Sequence, residues 1–302
     1  MAPNPLHDDL VALHQQALAA DGRLETAVPG LVLHRASNPS APGCGLYEPS
    51  LAVILQGAKR VTVGDVTHVY GESEFLLTAI DVPTVSQITR ASRARPYRAL
   101  SLKLDLHVVR RLLTEVDVPA SGAADSQLAM STSPATPELL EPLARLLRIA
   151  RSPQDVRALA GLVQQEIVYR LLTGAQGHRL RRIAMVGTQS HQITRVIAWL
   201  REHFAEPLRV EQLAEIARMG VSTLHHNFRA VTGLSPLQFQ KQLRLHEARR
   251  LMLTESVDAG SAALAVGYES QSQYTREYRR LFGESPMRDV KALRQTDEAV
   301  SP

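Results

Sequence analysis

Polar and apolar residues alternate along much of the stretch between residues 28 and 105, which predicts a domain of short β-strands. The clearest alternation runs from 99 to 105, where leucines occupy every second position. Several short strands at this spacing indicate an antiparallel sandwich or barrel. Apolar runs separated by glycine and aspartate predict further strands at 31–33, 51–55, 60–63, 66–70, 75–80 and 84–89.

On both sides of this stretch, apolar residues recur every three or four positions, which predicts helices. The predicted helices lie at 5–20, 107–115, 137–150 and 153–172. Residues 117–137 are rich in Ser, Ala and Pro and are interpreted as a surface loop. The basic run GAQGHRLRR at 174–182 is interpreted as a hinge.

The C-terminal third repeats one arrangement of residues at an offset of fifty. Gly accepts the left-handed conformation that ends a helix, Ser caps the next helix, and Pro fits its first turn. Each copy therefore predicts a helix that ends at the glycine and a second helix that starts at Ser-Pro. The two copies are Phe228, Gly233 and Ser235-Pro236, and Tyr278, Gly283 and Ser285-Pro286.

The helix before each glycine is predicted to bury one face and expose the other. The apolar faces carry Leu224, Phe228 and Val231, and Tyr274, Tyr278 and Leu281. The polar faces carry Ser222, His226 and Arg229, and Ser272, Arg276 and Arg279. An apolar stripe over residues 210–217 precedes the first copy across a short break. Helix, tight turn and helix with a polar outer face is the helix-turn-helix arrangement, whose second helix enters the major groove.

The helix predicted at 236–254, between the two copies, has apolar residues on two sides. One side carries Leu237, Leu245, Ala248, Leu251 and Met252, and the other carries Phe239, Leu243 and Leu253. A helix that is apolar on two sides needs two packing partners. It is interpreted as a scaffold between two helical units, with an ordinary buried core helix as the alternative.

Two segments, LAEIARMGVSTLHHNFRAVTGLSPLQFQKQLRLHEARRLML and VGYESQSQYTREYRRLFGESP, resemble the helix-turn-helix units of the AraC family of bacterial transcription regulators. The resemblance implies a DNA-binding domain over about residues 190–294. It places the base-reading residues at Ser222, His225, His226, Gln271, Ser272 and Arg276. Arg229 and Arg279, on the same polar faces, complete the predicted DNA-binding set.

His226 stands where members of that family often carry arginine. A permanent donor to guanine is thereby replaced by histidine, the side chain type whose charge changes near neutral pH. Two interpretations stay open: His226 reads a base, or it contacts only phosphate or water.

The run YEPSLAVILQGAKRVTVGDVTHVYGESEFLLTAIDVPTV, with RPYRALSLKLD, resembles the N-terminal domain of one AraC subfamily. That resemblance implies a small cupin-like β-barrel that holds an effector. The helices that follow are expected to form a homodimer interface, with packing inside one domain as the alternative.

We therefore predict an α+β protein of two domains. Residues 1–182 would form an effector-sensing and dimerisation domain, with the barrel at about 28–105 and helices at about 106–173. Residues 183–302 would form an all-α DNA-binding domain, in which a long helix joins two helix-turn-helix units.

The net charge of +4 is concentrated in the repeated region. Residues 191–294 contain 15 Lys and Arg against 11 Asp and Glu, and the rest of the chain contains 19 of each. This distribution favours contacts with DNA phosphates. Neither a signal peptide nor an apolar run long enough for a membrane span is expected, and a single cysteine, Cys44, is typical of the reducing cytoplasm.

Catalytic chemistry finds little support in the sequence. A cupin-type metal site needs histidines and a carboxylate that converge, and His34, His68 and His107 are scattered without a His-x-His pair. An alkyl-accepting repair protein would need several cysteines. We therefore expect no enzyme activity, no metal and no cofactor, and keep a metal-dependent cupin-type enzyme with an appended helical domain as the alternative function.

The predicted function is a sequence-specific transcriptional regulator that binds double-stranded DNA under the control of a small molecule. The resemblance favours activation and adds RNA polymerase as an optional partner. A module that acts through protein contacts alone is the remaining alternative. Four residues are candidates for ligand binding: Cys44 in a glycine-rich loop, Gln56, Lys59 and Tyr97.

Overall fold

The computed structural model describes residues 5–115, 129–185 and 188–298. Its N-terminal part is a β-domain preceded by helix α1 (Pro5–Ala17). The strands are β1 (Gly22–Glu25), β2 (Leu31–Ala36), β3 (Gly43–Tyr47), β4 (Ser50–Gln56), β5 (Ala58–Val63), β6 (Val66–Gly71), β7 (Glu74–Thr78), β8 (Val82–Arg90), β9 (Tyr97–Lys103) and β10 (Met130–Pro134). Helix α2 (Leu106–Glu115) lies between β9 and β10 in sequence.

The strands form two antiparallel sheets whose buried side chains belong to one hydrophobic core. The larger sheet has the order β1-β2-β9-β4-β7-β10, and the smaller has the order β3-β8-β5-β6. The alternation at 99–105 predicted the central strand β9 correctly, since Leu100 and Leu102 are fully buried. Gly64, with φ of +55°, makes the tight turn of the β5–β6 hairpin.

Strands β1, β3 and β10 and helices α5 and α6 were not predicted. Strands β1 and β10 carry few apolar residues, and β3 contains two glycines; the three strands are held by backbone pairing to β2, β7 and β8. The predicted loop at 117–137 is therefore wrong at β10, and its residues 117–128 lie outside the described part. Cys44 lies in strand β3, so its assignment to a loop is also wrong.

The helices that follow the sheets are α3 (Pro137–Ile149), α4 (Pro153–Thr173) and α5 (Gly177–Ala184). Helix α3 packs between α1 and α4. The hinge predicted at 174–182 is wrong, because most of it belongs to α5, which buries Leu180 and Ile183. No helix in the described residues is long and apolar enough to span a bilayer.

The C-terminal part contains seven helices in its described residues, 188–298. They are α6 (Gln189–Glu202), α7 (Val210–Ala217), α8 (Val221–Thr232), α9 (Pro236–Thr254), α10 (Ala259–Ala265), α11 (Gln271–Phe282) and α12 (Pro286–Glu298). Helices α7 and α8 form the first helix-turn-helix unit, α10 and α11 form the second, and α9 joins them. A capping box at Ser235 starts α9 where the Ser-Pro signal predicted it.

Helix α9 contributes to two separate cores, as its two apolar sides predicted. Phe239 and Leu243 belong to the core shared with the first unit and the β-domain. Leu245, Ala248 and Met252 belong to the core of the second unit. Leu237 is an exception, since it is 50% exposed, and its assignment to a buried side is wrong.

His14 attaches α1 to the larger sheet. Its Nε2 atom lies 3.1 Å from the carbonyl oxygen of His34 and 3.2 Å from that of Ala99. Its Nδ1 atom lies 3.1 Å from Nη1 of Arg98, which can only donate, so Nδ1 accepts and Nε2 carries the proton. Burial, and then the charge of Arg98, lower the pKa of His14 to about 4.

We expect His14→Gln to weaken the loss of stability on acidification. The unfolded histidine has a pKa near 6.5 and folded His14 a pKa of about 4, so the unfolded state binds more protons between these values. Stability therefore falls as the pH falls through this window, by roughly 3 kcal/mol in full. Melting temperatures at about pH 7.5 and pH 5 should differ less in the variant than in the wild type.

Part of the pH dependence should remain in His14→Gln, because burial also lowers the pKa values of His34 and His246 to about 4. The exposed His225, changed to Gln, serves as the control and should keep the wild-type difference. An unchanged difference in His14→Gln would contradict the assignment.

Candidate DNA-binding surface and ligand cavity

Helix α8 presents the predicted polar face of the first unit to solvent. Leu224, Phe228 and Val231 are buried and fix the rotation of the helix, while Phe228 also packs edge-on against Phe239 of α9. The opposite face exposes Ser222, His225, His226 and Arg229. Gly233, with φ of +71°, ends the helix in the left-handed conformation that the sequence predicted.

Helix α11 repeats this arrangement in the second unit. Tyr274 and Tyr278 are fully buried, and Ser270 caps the helix by accepting from the backbone N–H of Gln273. Gly283, with φ of +86°, ends it. The exposed face carries Gln271, Ser272, Arg276 and Arg279, which line one shallow concavity with Thr275 and Arg280.

The arginines of this face make no ion pair within the described residues. Arg276, Arg279 and Arg280 are exposed, and no described carboxylate lies within salt-bridge distance of them. By contrast, Glu277 on the same helix is partly buried, and its carboxylate accepts hydrogen bonds from Lys241 and Tyr268. The outer face of α11 is therefore a row of unneutralised guanidinium groups, which suits phosphate and guanine.

The hairpin β5–β6 touches the end of α8. A Cβ atom on Gly64 would lie 2.3 Å from the carbonyl oxygen of Gly233, so the two backbones meet at positions where neither has a side chain. Beside this contact, Arg229 Nη2 lies 3.1 Å from Asp65 Oδ2. One predicted DNA-binding residue is thus paired with an acidic residue of the β-domain.

A cavity of about 630 Å³ opens in the β-domain, between the two sheets. Two of the four ligand candidates, Lys59 and Tyr97, line it, and Gln56 and Cys44 do not. The Nζ atom of Lys59 donates to Oη of Tyr47 at 2.7 Å. Burial opposes the charged amine, but the neighbouring phenols of Tyr47 and Tyr97 outweigh it and raise the pKa of Lys59.

Cys44 lies at the contact between the β-domain and the second unit. Its Sγ atom donates to the carbonyl oxygen of Leu281 in α11 at 3.0 Å. Burial raises the pKa of the thiol, with a smaller opposing effect of Arg249. A raised pKa disfavours the reactive thiolate, so the environment is that of a structural thiol.

The three histidines considered for a metal site lie on different elements: His34 on β2, His68 on β6 and His107 on α2. His34 faces the cavity, where its Nε2 atom lies 3.1 Å from Oγ of Ser101. Across residues 5–115, 129–185 and 188–298, no three His, Cys, Asp or Glu side chains are grouped closely enough to hold a metal ion.

Two arginines that connect parts of the structure were missed in the sequence. Arg244 of α9 donates to the carbonyl oxygens of Phe204, Ala205, Glu206 and Gly267 at 2.6–3.1 Å. Arg201 of α6 pairs with Asp81 and with Glu48 of the β-domain. Both stand in ordinary helical sequence, and no local pattern distinguishes them from exposed arginines.

Both halves of the chain match known family models. Residues 27–179 match the AraC-type transcriptional regulator N-terminus, and residues 213–292 match a helix-turn-helix domain. The HTH-type transcriptional regulator CdhR of Pseudomonas aeruginosa is 30% identical over 158 residues, which are 52% of this chain and 46% of CdhR. The HTH-type transcriptional activator RhaS of Escherichia fergusonii is 33% identical over 95 residues, 32% of this chain and 34% of RhaS. The chain thus spans less than half the length of these relatives.

ToxT from Vibrio cholerae shares the fold over most of both chains. Its structure with a bound unsaturated fatty acid has a TM-score of 0.59 at 9% identity, covering 88% of this chain and 96% of ToxT. A second ToxT structure, bound to (E)-4-(8-methylnaphthalen-1-yl)but-3-enoic acid, has a TM-score of 0.60 at 12% identity. These comparisons confirm the predicted two-part α+β fold.

We expect Asp65→Asn to increase the affinity of the full chain for DNA by about two- to fivefold. Arg229 must leave Asp65 before it can contact DNA, and both side chains are mostly exposed, so their pairing is worth less than about 1 kcal/mol. Titration of labelled operator DNA at low salt measures the change. Glu25→Gln removes the same charge from an exposed pair with Arg23 and serves as the control. An equal increase in both variants would show a general charge effect instead.

Proposed function

The chain belongs to the AraC-type family of transcriptional regulators, and we propose on that basis that it reads one promoter site with both helix-turn-helix units under the control of a small molecule. The observation that carries the proposal is the pair of exposed polar faces on α8 and α11, which are built in the same way on buried aromatic residues. Two such helices joined by one rigid helix suit two successive major-groove segments about 34 Å apart.

Within these faces we assign the choice of sequence to six residues and the sequence-independent affinity to arginines. The six are Ser222, His225, His226, Gln271, Ser272 and Arg276, and all are exposed. We assign Arg229 and Arg279 to the DNA phosphates. Phosphate contacts position a protein on DNA, whereas base contacts specify the site. For His226, base and phosphate contacts remain alternative proposals.

We expect Arg276→Ala to weaken binding selectively. Loss of a contact to one base should cost about 1–3 kcal/mol at one base pair and leave discrimination at the other positions nearly unchanged. Arg279→Ala, on the same exposed face, is the matched comparison: it should weaken binding to all sequences alike and reduce the salt dependence. The measurement is binding of the full chain to a footprinted operator and its single-base variants.

A uniform loss in Arg276→Ala would reassign this residue to a phosphate. If no footprint forms on the DNA upstream of the gene at any salt concentration, the proposal of sequence-specific binding fails there, and regulation through protein contacts alone becomes the better explanation.

The cavity in the β-domain is proposed as the effector site. Its volume is in the usual range for small-molecule sites, and Lys59 and Tyr97 stand in its wall. ToxT, which shares the fold, binds an unsaturated fatty acid, so this type of fold accepts a small ligand. No role for Cys44 or Gln56 in ligand binding is proposed.

We propose that two copies pair through α4. This helix exposes Leu159, Leu162 and Tyr169 on one side, with Leu162 being 65% exposed. Exposed apolar groups arranged in a stripe mark contact surfaces, and identical helices can pair symmetrically about a twofold axis.

The remaining proposals follow the family: residues 1–182 as the sensing part and 183–302 as the DNA-binding part, activation rather than repression, an optional contact with RNA polymerase, action in the cytoplasm, and no enzyme activity.

We expect Leu162→Asp to shift the full chain from dimer to monomer, because a charge in the centre of an apolar contact must be desolvated without a partner. Sedimentation equilibrium measures the shift. Leu237→Asp places the same charge at another exposed leucine, on α9, and should leave the dimer intact. A monomeric wild type, or dimers in both variants, would contradict pairing through α4.

A further inference from the structure

The charges around the β-domain cavity do not balance. Three cations line the cavity, Arg23, Lys59 and Lys103, against two carboxylates, Glu25 and Glu48. Arg23 pairs with Glu25 at 2.9 Å, and Lys103 pairs with Glu48 at 2.8 Å. Lys59 has no carboxylate partner among the described residues. One positive charge in the cavity wall is therefore left without a counter-charge.

The nearest titratable neighbours do not supply that counter-charge. His34, which can be only neutral or cationic, lines the same cavity and adds no charge, because burial and then the positive charge of Lys59 lower its pKa to about 4. Burial raises the pKa of Tyr97 to about 12, so its phenol is also neutral at physiological pH. Lys59 stays an ammonium, since its surroundings raise its pKa, and an anionic ligand would supply the missing counter-charge.

The hydrogen bond at Lys59 leaves two donor groups in the cavity wall, the ammonium of Lys59 and the hydroxyl of Tyr47. Because Nζ donates to Oη of Tyr47, the hydroxyl hydrogen of Tyr47 is not used in that bond. The ammonium has two further N–H groups. One carboxylate can accept from both groups, with one oxygen on Nζ and the other on Oη.

The rest of the wall is largely apolar. Apolar side chains of Val32, Ala52, Ala99 and Tyr70 line the cavity beside these donors, on the sheet faces that also carry His34 and Lys59. An apolar body packed here would be removed from water, while its charged end remained hydrogen-bonded. The single unbalanced charge matches a monoanion rather than a phosphate, which carries more charge near neutral pH.

We infer that the effector of this protein is a small monocarboxylic acid with an apolar body, whose carboxylate is held by Lys59 and Tyr47. This inference rests on the proposed role of the cavity and specifies the chemical class of its ligand. It also assigns Tyr47, which the sequence did not single out, to the ligand site.

The test compares each acid with its own neutral amide. Octanoate, 4-phenylbutanoate and the primary amides of both are titrated by calorimetry into the full chain and into Lys59→Met, which keeps the length of the side chain and removes its charge. Wild type should bind the acids about ten- to a hundredfold more tightly than the amides, as expected for charge-assisted hydrogen bonds. Lys59→Met should bind acid and amide alike.

Two further variants isolate the contact. Arg60→Met removes a charge from the neighbouring, exposed position on β5, and should keep the wild-type preference for acids. Tyr47→Phe removes one donor and should reduce the preference without abolishing it. Unchanged melting temperatures show that the variants are folded.

Three results would overturn the inference: equal binding of acids and amides by wild type, an acid preference that survives Lys59→Met, or no acid binding up to millimolar concentrations. Tight binding of the amides alone would keep the cavity as the effector site and exclude only the anionic class. Footprinting of the same protein on DNA separates these results from failure of the proposed regulator function, since DNA binding by α8 and α11 does not require Lys59.

Discussion

The guanidinium group of Arg244 on α9 joins the segment that follows α6 to the turn of the second unit. It donates to three successive carbonyl groups just beyond α6, at Phe204, Ala205 and Glu206, and to Gly267 in the turn of the second unit. Gln240, one helical turn earlier on α9, donates to Glu206 as well. Carbonyl groups that helix ends and turns leave unpaired are thereby satisfied by one side chain. A Cβ atom on Gly267 would lie 2.0 Å from the carbonyl oxygen of Ala205, so the turn of the second unit lies directly against the segment between α6 and α7.

The two units nevertheless have different supports. The first shares its core with the β-domain, whereas the second has its own core, built on Tyr268, Tyr274, Tyr278 and Phe282. In the second core, Asp289 accepts two hydrogen bonds from Arg249 and one from Tyr278, so a buried carboxylate fastens α12 to α9 and α11. The β-domain still touches both units, at Gly64 with Gly233 and at Cys44 with Leu281. The β-domain is therefore in direct contact with the ends of both α8 and α11, the helices that carry the predicted DNA-binding faces.

Glu48 offers a short physical connection between the cavity and the DNA-binding part. It lines the cavity, pairs with Lys103 in the cavity wall, and also lies 3.4 Å from Arg201 of α6. Arg201 also pairs with Asp81 through its other terminal nitrogen, so one guanidinium is shared by both carboxylates. A negative charge placed in the cavity would change the field at Glu48 and hence this sharing. The connection involves four charged groups, Glu48, Lys103, Arg201 and Asp81.

The sequence by itself determined several elements whose cause is local. The ends of α8 and α11 depend on glycines that tolerate positive φ, the start of α9 depends on a serine cap, and both reading faces follow from the period of the apolar residues. The helical period therefore placed Ser222 and Arg276 on exposed faces correctly, and the two apolar sides of α9 predicted its two cores. The predicted burial of Leu237 was wrong because the helical period gives the direction of a side chain but not whether another element packs against it.

Tertiary structure decided what depends on groups distant in sequence. Strands β1, β3 and β10 exist because neighbouring strands offer them backbone hydrogen bonds, and their own side chains carry no such signal. The pairing of Lys59 with Tyr47, the approach of Asp65 to Arg229, and the four carbonyl groups around Arg244 each join residues that no local period relates. Charge balance in a cavity and the satisfaction of helix ends are properties of groups assembled in space, so only the folded chain defines them.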